Sequence, residues 1–191
     1  MRTKLYKDAL KTVCQDGDEV VIDAYSGGGL LTAMIAKKAK RVYGIELEAE
    51  ASRCADSLKA KNGLENMTNI CGYVEEHLSS VMGREKGEKV RLILDPPRAG
   101  IARSVLKALL ESGIEELTLI SCNPATLARD LGILSGRLIE NDKGELVKNP
   151  AYEGLGEKET LAGYYEVSKV QPYDMFPQTK HVETLICLKR K

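Results

Sequence analysis

Three stretches combine residue types that chemistry uses with turns that hold them still. "LILDPPRAG" (92–100) ends an apolar run in Asp95 and follows it with Pro96, Pro97 and Arg98. "SCNPATLARD" (121–130) ends a second run in Cys122, then Asn123 and Pro124. "PYDMFPQTKHVETL" (172–185) brings Asp174, His181 and Glu183 into one short segment. A proline stiffens a turn and removes an N–H. The Asp95 carboxylate could then receive a cationic amino group or the polar edge of a base. Asn123 suits an N-cap and Pro124 the first helical position, so Cys122 falls just before a helix N-terminus. That end of the dipole favours a thiolate. The help matters, because a free thiol with a pKa near ~8.5 is only slightly ionised at neutral pH.

A further site lies upstream. "DAYSGGG" (23–29) places Gly27 and Gly29 between an apolar strand and a helix. Glycines there allow a tight turn and a close backbone approach to a ligand. Glu46 closes the next strand, where its carboxylate can accept from both hydroxyls of a ribose. Nicotinamide and S-adenosylmethionine sites share this pairing. The third small residue of the dinucleotide fingerprint would fall at Thr32, which disfavours nicotinamide. So do the two proline exits.

A methyl donor beside a thiolate narrows the chemistry. Nitrogen and oxygen offer a lone pair for methylation. Carbon 5 of uracil does not, until a thiolate adds to carbon 6 and makes carbon 5 nucleophilic. A base must then remove the carbon-5 proton. His181 and Glu183 are both candidates on residue type and position, and spacing alone leaves the choice open.

These residues need elements to carry them. Helical spacing of Leu5, Ala9, Leu10 and Val13 opens the chain in a helix. Strands are expected over 19–25, 41–47, 67–73, 92–95 and 116–121, and helices over 30–40, 48–63, 75–82, 102–113 and 124–135. Residues 136–163 break the rhythm and read as a long loop or small hairpin. Runs 164–174 and 181–191 follow each other too closely for a helical crossover, so they pair antiparallel. The result is an α/β, Rossmann-like fold: a mostly parallel seven-stranded sheet with an antiparallel last strand and helices on both faces. Ligands in such sheets lie beyond the strands' carboxyl ends, where every candidate falls.

The whole chain fits one domain of 191 residues, with 28 basic and 28 acidic side chains. Its neutral balance marks no nucleic-acid binder, and with no Trp and one Phe it offers no broad stacking platform. The five cysteines are scattered and never in Cys-x-x-Cys, which argues against a metal site or a disulfide framework and favours a reducing, cytoplasmic setting. No run has the length of a membrane span.

In combination, "DAYSGGG", "LDPPRAG", "SCNPATLARDL" and "PYDMFPQTKHVETL" resemble the catalytic domain of the RNA uracil-5 methyltransferases, above all the 23S ribosomal RNA type. The resemblance runs from about Thr3 to the C-terminus, apart from much of 136–163. It implies a class I S-adenosylmethionine-dependent fold, with Cys122 as nucleophile and Glu183 as proton acceptor. It implies cofactor contacts from Tyr25 and Glu46, beside the Gly27 and Gly29 turn, and Asp95 between cofactor and substrate. It further implies an RNA partner; a monomer without metal is expected. Ser26, Gly28 and Tyr73 depart from the usual pattern, Tyr73 where an acidic or amide side chain commonly holds the adenine. An upstream RNA-binding domain, usual in the family, is not found in this sequence. Three other readings remain: methylation of a different RNA atom, a non-catalytic module binding cofactor or RNA, and a nicotinamide oxidoreductase.

Overall fold

The computed structural model describes residues 2–156, 159–175, 178 and 182–191. Helix α1 (Arg2–Val13) buries Leu5, Ala9, Leu10 and Val13. Strand β1 (Val20–Ala24) is buried at every position, as befits a central strand covered on both faces. There follow α2 (Leu30–Ala36), β2 (Arg41–Glu46), α3 (Ala49–Asn62), β3 (Met67–Cys71), α4 (Val74–Arg84), β4 (Val90–Leu94), α5 (Arg103–Glu111), β5 (Glu116–Ser121) and α6 (Pro124–Leu134). A hairpin of β6 (Leu138–Glu140) and β7 (Leu146–Lys148) precedes the last two strands, β8 (Tyr165–Tyr173) and β9 (Glu183–Arg190).

Seven strands form one sheet in the order β3-β2-β1-β4-β5-β9-β8. Strands β1 to β5 pair in parallel, and β9 runs antiparallel to both β5 and β8. The expected sheet, with its antiparallel last strand, is the one observed. Alternate side chains feed two cores. Ile22, Leu92 and Leu94 pack with Val105, Leu106 and Leu109 of α5. Val21, Ile93 and Ile120 pack on the opposite face with Leu5, Leu10 and Ile35. The strand order reverses between β1 and β4, and the crevice beyond that point is where such sheets take ligands.

Several boundaries differ from the sequence expectation. Helix α2 stops at Ala36, not near residue 40, because Asn66 donates to the carbonyls of Ala36 and Ala39 at 2.8 and 2.9 Å. Helix α4 runs to Arg84, drawn onto β2 by the buried Glu85, which accepts from Arg41 and Tyr43. Strand β3 ends at Cys71 and β4 begins at Val90, so the charged turn between α4 and β4 is shorter than expected. Residues 136–163 do contain a small hairpin. Polar contacts hold this segment: Arg137 lies over the Tyr152 ring, and the Tyr152 hydroxyl donates to the Ser135 carbonyl. Its lack of apolar period follows from that.

Candidate active site

The turn after β1 is built from left-handed backbone. Tyr25, Gly27 and Gly29 have φ of 63°, 54° and 78°. Positive φ is rare for a tyrosine and marks a strained position. The Tyr25 hydroxyl is buried beside the Ala102 amide in no hydrogen bond of good geometry, and burial raises its pKa. Gly29 is required twice, since a Cβ there would lie 2.6 Å from Ala55 Cβ on α3. At Gly27 a Cβ would meet nothing within 4 Å. Space opens over Gly27, while Gly29 is packed.

Glu46 is oriented by two amides. The Gly27 N–H donates to Oε2 at 2.7 Å and the Glu48 N–H to Oε1 at 2.8 Å. Each carboxylate oxygen keeps acceptor capacity for a ligand hydroxyl. Thr32, which broke the dinucleotide fingerprint, is fully buried and donates to Asp23 Oδ2 at 2.6 Å. Close helix-to-strand packing is supplied instead by Gly44 on β2, where a Cβ would crowd Ser26 Oγ at 3.0 Å and Thr32 Cγ2 at 3.1 Å.

Asp23 was not apparent as a site residue from sequence, though a carboxyl inside the apolar "VVIDA" was a usable signal. It is 1% exposed. Burial first, and then the Asp95 and Glu46 carboxylates, push its pKa up to about 7 against the bond from Thr32. Three carboxyls therefore share one negative region at the ends of β1, β2 and β4. Asp95 sits one residue past β4, its N–H reaching the Ala24 carbonyl at 3.4 Å. The open space above Gly27, the oriented Glu46 and the surplus negative charge suit a cationic nucleoside such as S-adenosylmethionine.

The thiol half lies two strands away in the same rim. Pair Ser121↔Thr184 ends the β5–β9 ladder, and Cys122 and Glu183 are the next residue on each strand. Glu183 also pairs with Tyr173, the last residue of β8. Both Cys122 and Glu183 are half-buried. Asn123 caps α6 as expected, its Oδ1 accepting from the Ala125 N–H at 3.1 Å with Pro124 at the first turn. Since β2, β1, β4, β5 and β9 are consecutive in the sheet, the carboxyl ends of the parallel strands and the amino end of antiparallel β9 bring Tyr25, Gly27, Gly29, Glu46, Asp95, Cys122 and Glu183 to one rim. Asp174 is exposed just beyond β8, and His181 lies outside the described residues.

The remaining cysteines sit elsewhere. Burial raises the thiol pKa of Cys14 to about 11 and also that of Cys187, while Cys54 and Cys71 are exposed. Among the described residues one acidic group has metal-like spacing, Asp16, Asp18 and Glu19, at the opposite end of β1. Glu19 there is already engaged by the amides of Gln15, Asp16 and Gly17. No described helix is long and apolar enough to cross a membrane.

Residues 1–138 match the model of the tRNA (uracil-5-)-methyltransferase family. The chain belongs to that family. It is 39% identical over 187 residues to an RNA methyltransferase of Clostridium acetobutylicum, covering 98% of this chain and 35% of the relative. The chain thus spans about a third of the length of the curated relatives it matches. Among solved structures, it resembles the tRNA (uracil-54, C5)-methyltransferase of Pyrococcus abyssi in complex with S-adenosyl-L-homocysteine. That match has a TM-score of 0.70 and 25% identity, covering 97% of this chain and 37% of the other. A S-adenosylmethionine-dependent O-methyltransferase of Thermotoga maritima shares the fold alone, at TM-score 0.62 and 18% identity over 98% of this chain and 64% of the other. The uracil-5 methyltransferase family and the class I methyltransferase fold are both as the motifs implied.

Proposed function

We propose that this chain is the catalytic domain of an RNA methyltransferase that methylates carbon 5 of a uridine through a transient cysteine–uracil adduct. The observation that carries the reading is the adjacency of Cys122 and Glu183 just past the last β5–β9 pair, beside the Asp95 turn. A thiol, a carboxylate and an acceptor for a base edge in one rim match what this reaction needs.

S-adenosylmethionine, when bound, supplies the methyl group as an electrophile. Gly27 and Gly29 allow the backbone turn that receives it, Glu46 accepts from its ribose hydroxyls, and Tyr25 walls its pocket. Asp95 holds polar edges between donor and base. The Cys122 thiolate adds to carbon 6 of the uracil, and the double-bond electrons move toward the ring carbonyl. Carbon 5 thereby becomes nucleophilic and takes the methyl group. Glu183 then accepts the carbon-5 proton, the double bond re-forms and Cys122 leaves as the thiolate. The base reaches these groups by leaving its stack.

Similarity of the motifs favours 23S ribosomal RNA as the substrate. The matched family model and the Pyrococcus abyssi relative favour transfer RNA. Nucleoside mass spectrometry on both RNAs, from cells with and without the protein, tests the reading. We expect 5-methyluridine to disappear from one RNA. Unchanged 5-methyluridine in both, or loss of a different methylated nucleoside, contradicts it.

A further inference from the structure

The Asp95 turn and the Cys122 turn are not independent loops. Helix α6 reaches back and holds residues 98–101 through four side chains. Asn123 Nδ2 and Thr126 Oγ1 both donate to the Arg98 carbonyl, at 3.1 and 3.3 Å. One turn on, Arg129 Nη2 donates to the carbonyls of Ala99 and Ile101, each at 3.1 Å. Asp130 accepts from the Ile101 N–H at 2.8 Å. The same Asp130 takes Arg129 Nε at 2.8 Å and Nη2 at 2.6 Å through its other oxygen. Asp130 is 1% exposed, while the Arg129 side chain keeps 35% of its surface in water, so the pair is buried on the carboxylate side.

The loop is shaped to accept this grip. Gly100 has φ of 81°, and its N–H closes a turn onto the Pro97 carbonyl at 2.8 Å. A Cβ on Gly100 would stand 2.6 Å from both Arg129 Nη2 and Asp130 Oδ2 and 3.0 Å from Thr126 Cβ. Four backbone groups of the loop, the carbonyls of Arg98, Ala99 and Ile101 and the N–H of Ile101, are satisfied from α6 and its cap. The bond from the Ile101 N–H to Asp130 is buried, and leaving it unmade would be costly, which fixes that end of the loop on α6.

We propose that Arg129 and Asp130 are positioning residues, a latch that sets the Asp95 turn against the Cys122 turn so that methyl donor and uracil meet in reactive register. The inference rests on the proposed placement of cofactor and base at those two turns. Neither residue touches the reacting atoms. They act through the backbone of 98–101, and a misplacement of about 1 Å in such a site costs on the order of 100-fold in rate.

The test uses Arg129→Lys, Asp130→Asn and Gly100→Ala in the full chain, beside wild type and Cys122→Ala. Asp130→Asn keeps an acceptor for Ile101 and loses the ion pair. Gly100→Ala keeps the chemistry of every latch side chain but crowds Arg129 and Asp130 away from the loop. Methyl transfer to RNA is measured per cofactor-binding site, counted by calorimetry, so that misfolded molecules do not enter the rate. The expected result is a fall in kcat of about 100-fold in Gly100→Ala and about 10-fold or more in the other two, with KM for RNA within about 3-fold of wild type. Arg129→Ala, made in addition, should retain less activity than the conservative Arg129→Lys. A merely structural role would lower the melting temperature and the number of binding sites while leaving kcat per site unchanged. That result, in either Arg129→Lys or Asp130→Asn, overturns the latch. Failure of the proposed function shows instead in wild type and Cys122→Ala, whose activities would then be equal.

Discussion

A carboxyl buried beside two other carboxyls gives up its charge unless a cation arrives. Asp23 is in that position, with a pKa near about 7 against an ordinary 3.8. A raised carboxyl pKa stabilises the fold fully below the unfolded value and loses that contribution as pH climbs through the folded value. Asp23→Asn, which keeps an acceptor for Thr32, should remove this slope. Its melting temperature relative to wild type should therefore rise between about pH 4 and about pH 7, the span from the ordinary to the folded pKa, as thermal unfolding at several pH values will show. A difference that does not change with pH contradicts the assignment. The two turn glycines separate stability from binding in the same way. Gly29→Ala meets Ala55 and should cost about 3 kcal/mol in chemical denaturation. Gly27→Ala pays only for positive φ, about 1 kcal/mol, yet its new methyl enters the open space over the turn. We expect cofactor affinity by calorimetry to fall at least about 10-fold in Gly27→Ala, since a pocket atom costs more than a turn. Unchanged affinity would place the ligand elsewhere.

At the scale of elements, α6 does two jobs with one N-terminus. Asn123 caps the helix through Oδ1 and holds the Arg98 carbonyl through Nδ2. Asn123→Asp keeps the cap and loses the donor, whereas Asn123→Ala loses both. The Asp variant should stay within about 0.5 kcal/mol of wild type and the Ala variant should lose about 1–2 kcal/mol, measured by denaturation. Equal losses would mean that the cap carries no stability. The elements themselves were legible in the sequence because their apolar period is strong, as in "VVIDA" and "LILD". The Asn123 cap was legible because capping is local. Where α2 stops was not, because Asn66 acts from thirty residues away. The latch was hidden for the same reason: Arg129 and Asp130 read as ordinary helix charges until the fold brings residues 98–101 beneath them. The choice between His181 and Glu183 was open on spacing and rested on family resemblance. The sheet register that sets Glu183 beside Cys122 is a property of strand pairing, which a single sequence does not display.

For the whole molecule, the two cores make the sheet a rigid plate whose carboxyl rim carries all the candidate chemistry. Its 28 basic and 28 acidic residues cancel, so the plate as a whole does not attract a polyanion. RNA binding by this chain should therefore show a shallow salt dependence, with log K against log salt no steeper than about −3. A slope near about −7, measured by titration at several salt concentrations, would contradict that and reveal an extended cationic track. The central claim is the covalent route through Cys122, and one measurement reaches it directly. The protein is incubated with S-adenosylmethionine and RNA carrying 5-fluorouridine, and its intact mass is recorded beside Cys122→Ala. Fluorine cannot leave carbon 5 as a proton does, so the adduct should persist. The account predicts a mass gain of one methylated RNA in wild type and none in Cys122→Ala. An equal adduct in both, or none in wild type while ordinary uridine is methylated at carbon 5, would contradict it.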